Sequence, residues 1–86
     1  MVVLCALPNG LERSRFGFSA SQRVGKAVVR NRLKRLLREG VRVHLLDVAS
    51  GWDIVFIARV GARDANFHRI AEAVEELLRE ANLIPR

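Results

Sequence analysis

The chain is poor in the residues that small domains use as staples and metal ligands. Cys5 is its only cysteine, so no disulfide forms within the chain. His44 and His68 are its only histidines, and with Cys5 they make no plausible zinc set. No apolar run approaches the ~20 residues that span a bilayer. The opening segment, Met1 to Pro8, lacks a basic flank and is too short for the apolar core of a secretory signal. The expectation is therefore a cytoplasmic protein with no membrane partner. Repeats and low-complexity tracts are absent, and 86 residues are enough for one domain with a modest core.

Material for side-chain catalysis is also scarce. Neither histidine has a serine, cysteine or carboxylate beside it in a nucleophile pattern, so both read as surface or helix-end residues. Cys5 lies within an apolar run and reads as packing, since thiol reactivity needs an open, electropositive setting. No carboxylate pair stands out. Gly25-Lys26 is no phosphate-binding loop, because the upstream glycine and the following Ser/Thr are missing.

What the chain has in excess is positive charge, in one place. From Arg23 to Arg42 there are eight basic residues (Arg23, Lys26, Arg30, Arg32, Lys34, Arg35, Arg38 and Arg42) and one acid, Glu39. The remainder carries seven basic and eight acidic residues, so the net +6 comes from this single stretch. A concentrated patch of one sign is a footprint for a polyanion.

Local patterns order the chain as strand, strand, helix, strand, helix. Val2 to Leu7 is rich in strand formers and runs into Pro8-Asn9-Gly10. Residues Arg15 to Ala20 alternate, with Phe16, Phe18 and Ala20 on one side and Arg15, Gly17 and Ser19 on the other. A turn-rich connection makes these two runs an expected antiparallel pair. A helix is expected from about Gly25–Ala27 to Glu39, with Gly40 as a stop; continuation through Val43 and Leu46 stays open. Trp52 to Val60, apolar on both faces apart from Asp53 and Arg59, suits a central strand covered on both sides. Phe67, Ile70, Ala71, Val74, Leu77, Leu78 and Ala81 keep the spacing of a second amphipathic helix, with Asp64 or Asn66 as N-cap. The expected class is α+β: helices packed on a small sheet.

Projected at about 100° per residue, Val29, Leu33, Leu36 and Leu37 share one arc of the first helix. Arg30, Lys34 and Arg38 follow at i, i+4 and i+8, with Asn31 and Arg35 beside them and Arg32 flanking the apolar arc. A merely solvated face would mix signs, because opposite charges at i, i+4 stabilise a helix and like charges oppose it. Arginine outnumbers lysine six to two here, and its planar fork suits phosphate oxygens and base stacking. The helix has few neutral side chains for base edges, which leans away from sequence-specific duplex DNA. Charge alone still leaves a general RNA- or DNA-binding module, such as a ribosome-associated protein, as the alternative. A protein that is itself a nuclease would need a catalytic constellation that these residues do not form.

The segment Gly17-Phe18-Ser19-Ala20-Ser21-Gln22-Arg23-Val24-Gly25-Lys26-Ala27-Val28-Val29-Arg30-Asn31-Arg32-Leu33-Lys34-Arg35-Leu36-Leu37-Arg38-Glu39 closely resembles the hallmark of the bacterial ribonuclease P protein subunit family. The resemblance extends over essentially the whole chain: Val2 to Pro8 is similar to the family's second strand, Trp52 to Val60 to its fourth, and Phe67 to Leu83 to its last helix. It implies a ribonuclease P protein-like fold of the ribosomal protein S5 domain 2-like kind, with a left-handed βαβ crossover. General rules would have given the other hand, since about 98% of such crossovers are right-handed. It also implies a protein subunit that binds a catalytic ribonuclease P RNA and helps bind the 5′ leader of precursor tRNA, while the RNA and its Mg2+ ions carry hydrolysis. The protein itself is expected to hold no cofactor or metal. In the resemblance, Arg30, Asn31, Arg32, Lys34, Arg35 and Arg38 face the RNA subunit. By strand parity, Val3, Cys5, Gly17 and Ser19 line a leader cleft, with Arg23 and Lys26 near its end.

The chain departs from the family at its start. The family's upstream helix and first strand have no counterpart before Val2, and the expected consequence is bared sheet surface that favours self-association. Cys5 stands where the family often has an aromatic residue, and Gln22 where it often has lysine.

Overall fold

The computed structural model describes residues 1–85. Its elements are β1 (Val2–Pro8), β2 (Arg15–Ala20), α1 (Ala27–Arg42), β3 (Trp52–Ala58) and α2 (Phe67–Glu80), with single 3-10 turns at Gln22–Val24 and Val60–Ala62. The order matches the expected α+β succession.

The sheet order is β1-β3-β2. The expected antiparallel β1–β2 pair does not form: β3 lies between them, antiparallel to β1 and parallel to β2. Strand β3, apolar at every position from Ile54 to Ala58, takes the centre, where both of its edges are hydrogen-bonded. The connection from Asn9 to Ser14 steps across the end of β3, a span of about 10 Å. Polar groups fasten that step. The Asn9 N–H donates to the Gly51 carbonyl at 2.9 Å. The Ser14 hydroxyl donates to the Ala49 carbonyl (2.7 Å) and accepts from the Trp52 N–H (3.0 Å). With β2 and β3 parallel neighbours, the chain between them is a βαβ crossover through α1.

Both helices pack on one face of the sheet. Leu33, Leu36, Leu37 and Val41 of α1 and Ile70, Val74 and Leu78 of α2 close over Ile54, Phe56 and Ala58. Phe16 and Phe18 join from β2 as the alternation requires, and Phe18 stacks on Phe56. The opposite face is open, so the expected double cover of β3 is corrected: Ile54, Phe56 and Ala58 are buried, while Val55 is 36% exposed. The strand also stops at Ala58, two residues early, because Val60 enters a 3-10 turn.

Gly40 does not end α1. It is buried inside the helix, and a Cβ there would meet the Ala71 Cα at 3.4 Å and a Val74 methyl at 3.5 Å. The glycine serves the close crossing of α1 over α2. The helix ends at Arg42, followed by turns through Leu46. Helix α2 begins at an Asn66 cap whose side chain accepts from the Arg69 N–H at 2.9 Å. It ends at Glu80, short of Leu83, where Asn82 turns left-handed (φ 58°) and the Leu83 N–H returns to the Leu78 carbonyl at 2.9 Å.

Candidate nucleic-acid interface

Helix α1 is launched from the end of the sheet. The Ser21 N–H donates to the Ala58 carbonyl (2.9 Å), and the Ser21 hydroxyl accepts from the Arg23 N–H (3.3 Å). Val24 is fully buried and pins the 3-10 turn. Gly25 follows with φ 147° and ψ −159°, a region essentially reserved for glycine, and redirects the chain into the helix. Lys26 is the N-cap and makes no side-chain cap bond; its carbonyl accepts from the Val29 and Arg30 N–H groups, both at 3.0 Å.

The stripe that the sequence predicts is present but is not uniform. Asn31, Arg35, Arg38 and Arg42 are exposed; Arg30, Arg32 and Lys34 are half-buried. Among the described residues, none of the basic side chains of α1 forms an ion pair. Two of them have other engagements. Arg32 donates to the Arg63 carbonyl at 2.8 Å and to the Ala65 carbonyl at 3.5 Å, tying α1 to the loop before α2. Arg38 lies over the Phe18 ring with its guanidinium carbon 5.4 Å from the centroid. The Nε of Arg30 is buried without a hydrogen-bond partner.

The open sheet face brings together the residues expected from strand parity. Cys5, Val55 and Gly17 form one row across the three strands; Val3, Ile57 and Ser19 form the next. A third row, Leu7, Asp53 and Arg15, closes the far end. Gly17 leaves the middle row bare on one side, and a Cβ there would meet a Val55 methyl at 3.4 Å. The result is a shallow apolar trough. Exposed Arg23 and Lys26 follow β2 at the end of the trough marked by Ser19. Val55 and Ile57 went unrecognised in the sequence because an apolar residue at every position of Ile54–Ala58 hides which parity is exposed.

The Asp53 carboxylate accepts two bonds from Arg15 (2.8 and 2.7 Å) and one from the Asn9 amide (3.0 Å). The Arg15 bonds, then the Asn9 bond, lower its pKa from 3.8 to about 2. The pair raises the pKa of Arg15 in turn. Among the described residues no three His, Cys, Asp or Glu side chains gather as a metal-holding group, and no helix is long and apolar enough to cross a membrane. His44 sits 3.6 Å from Glu75 and His68 2.7 Å from Glu72, both away from the stripe.

A cationic helix face with no ion pair among the described residues, braced by a buried opposite face, beside an open apolar sheet: these features define a small α+β nucleic-acid-binding domain. The family model for ribonuclease P matches residues 1–82. The ribonuclease P protein component of Caldanaerobacter subterraneus subsp. tengcongensis is 44% identical over 82 residues, covering 95% of this chain and 71% of that protein. That of a Dehalococcoides mccartyi strain is 44% identical over 86 residues, covering 100% of this chain and 70% of its own length. The solved Staphylococcus aureus RNase P protein superposes with a TM-score of 0.87 at 33% identity, over 98% of this chain and 77% of that one. The chain belongs to the ribonuclease P protein family, the protein part of a ribonucleoprotein endoribonuclease of tRNA processing.

Proposed function

We propose that α1 lies on the phosphate backbone of the catalytic RNA, with Arg30, Asn31, Lys34, Arg35 and Arg38 as its contacts and Arg32 bracing the helix as well as facing the RNA. The observation that carries this is the absence of any ion pair along the basic side chains of α1 among the described residues. Those charges repel one another at a cost in helix stability, and phosphates relieve it. The trough of Val3, Cys5, Gly17 and Ser19 takes the 5′ leader of precursor tRNA. Val55 and Ile57 form its floor, and Arg23 and Lys26 meet leader phosphates at its end. An extended single strand fits an open sheet face with a cationic exit. Hydrolysis belongs to the RNA and its magnesium ions. The protein's part is to screen phosphate charge and hold substrate, so its effect is largest when magnesium is scarce. Among the described residues no strand pairs with the outer edge of β1, which further supports self-association of this chain.

Reconstitution tests the reading. The chain added to a ribonuclease P RNA at low magnesium is expected to raise cleavage of precursor tRNA and to bind that RNA in preference to ribosomal RNA and duplex DNA. Equal affinity for all three would return the chain to a general nucleic-acid-binding module. Loss of both binding and stimulation would reject the proposal.

A further inference from the structure

A groove of about 280 Å³ runs between the second half of α1 and the outer edge of β2, lined by Phe16, Phe18, Arg38, Val41, Arg42 and Leu45. It lies on the helix side of the sheet, apart from the trough. We propose that this groove receives one unpaired nucleobase of an RNA, stacked on the Arg38 guanidinium and flanked by Phe16, with the adjoining phosphate on Arg42. The proposal rests on the reading that α1 lies against RNA and adds a base contact to its phosphate contacts.

Four observations support this occupant. Phe56 and Phe18 are parallel, with centroids 6.2 Å apart and planes 9° apart, and Arg38 lies over Phe18. Phe56 is fully buried, so the outer layers of this stack are anchored in the core. An arginine held over an aromatic ring keeps its guanidinium at the groove, where a base can stack on it. Second, neither Arg38 nor Arg42 is ion-paired among the described residues, so an anionic ligand meets uncompensated charge. Third, among the described residues β2 pairs with β3 alone, which leaves backbone donors and acceptors along its other edge to meet the polar rim of a base. Fourth, Arg38 continues the line of Arg30 and Lys34, so a strand whose phosphates follow that line reaches the groove. The size of the groove suits one planar group rather than a folded partner, and its apolar walls suit a base better than a free phosphate.

Arg38→Lys separates stacking from charge, because lysine keeps the charge and loses the plane. The probes are a fluorescent five-adenosine RNA and a pentameric ribose-phosphate chain of equal charge with no bases, compared by anisotropy at low salt. The intact chain should bind the adenosine probe about tenfold more tightly than the abasic one. Arg38→Lys should bring that ratio to within about twofold, leaving the salt dependence unchanged. Leu45→Ala, at a 50% exposed side chain with little risk to folding, should lower the ratio partway. A ratio near one in the unmodified chain, no measurable binding of the adenosine probe, or a full ratio retained by Arg38→Lys would each overturn the proposal. Binding of the ribonuclease P RNA is measured in parallel. If it persists while the ratio is one, the groove fails and the α1 reading stands; if it is absent, the α1 reading itself fails.

Discussion

Arg32 and Arg35 share a helix and a charge but not a task. The Arg32 guanidinium satisfies two loop carbonyls, whereas the exposed Arg35 side chain has no hydrogen-bond or ion-pair partner among the described residues. Arg32→Ala is expected to cost about 1 kcal/mol of stability, since a charged donor's bonds are worth more than that when buried and Arg32 is half-exposed. Arg35→Ala should leave stability within about 0.5 kcal/mol and reduce the salt slope of RNA binding by ~1 on an idealised duplex. Urea melts and salt titrations of both variants check this; equal salt slopes in Arg35→Ala and the unmodified chain would remove Arg35 from the contact. Asp53 gives a second test at this scale. Its pKa is lower folded than unfolded, so its stabilising effect is complete above the unfolded value near 3.8 and is lost as pH falls toward about 2. An NMR titration should find the Asp53 carboxyl midpoint near 2 and, in an Asp53→Asn chain, a flatter acid limb of stability; a midpoint near 3.8 would contradict the Arg15 and Asn9 bonds. The basic stripe was legible in the sequence because charge of one sign at helical spacing has few other readings. The carbonyls that engage Arg32 come from residues about thirty positions away, and spacing along one helix says nothing of them.

At the scale of elements, the crossing of α1 and α2 depends on what Gly40 leaves out. Gly40→Leu must displace the Ala71 backbone or the Val74 side chain, and overpacking of this kind costs about 1–3 kcal/mol. Urea unfolding should show a lower midpoint with an unchanged slope; an unaltered midpoint would mean that the crossing adjusts freely. Gly40→Ala is a closer balance, because its new contact sits at the edge of ordinary packing distance while alanine favours the helix by about 1 kcal/mol. The same glycine shows why the sequence leaves the helix end open. Composition marks Gly40 as a breaker, and only the approach of α2 reveals it as a contact. Element types and faces were legible because Phe16, Phe18 and Ala20, or Leu33, Leu36 and Leu37, repeat with the period of their own backbone. Neighbourhood was not. Nothing within Val2–Pro8 or Arg15–Ala20 says that a third strand from beyond residue 50 will separate them, and sequential strands are neighbours only about two times in three.

For the whole molecule, charge and apolar surface lie in different places, and this sets how two copies would meet under the proposed self-association. Among the described residues β1 is hydrogen-bonded on one edge only, and Val2–Pro8 contains no charged side chain to guard the other. Leu7 is 70% exposed and Val3 36% exposed on the open face beside that edge. Pairing of two β1 strands, antiparallel about Cys5, would join two sheets into one of six strands. It would keep the basic α1 helices toward the outer β2 edges, because α1 packs mainly over β2 and α2 over β1. The acidic residues Glu72, Glu76 and Glu80 of α2 would come nearer one another, so the association is expected to be weak and to strengthen with salt. Sedimentation equilibrium should show a dimer fraction that rises with concentration and falls in Val3→Lys, which places a charge on the shared face. Mild oxidation should trap the dimer through Cys5, since residues directly opposite in an antiparallel pair have Cα atoms about 4.5–5.5 Å apart, within disulfide reach. A chain that stays monomeric at every concentration, and whose Cys5 yields no crosslink, would show that the open edge is protected by some other means. Saturating RNA distinguishes the two surfaces: if β1 pairs copies and α1 binds RNA, the dimer fraction should survive RNA binding, whereas competition between them would place RNA on the sheet edge.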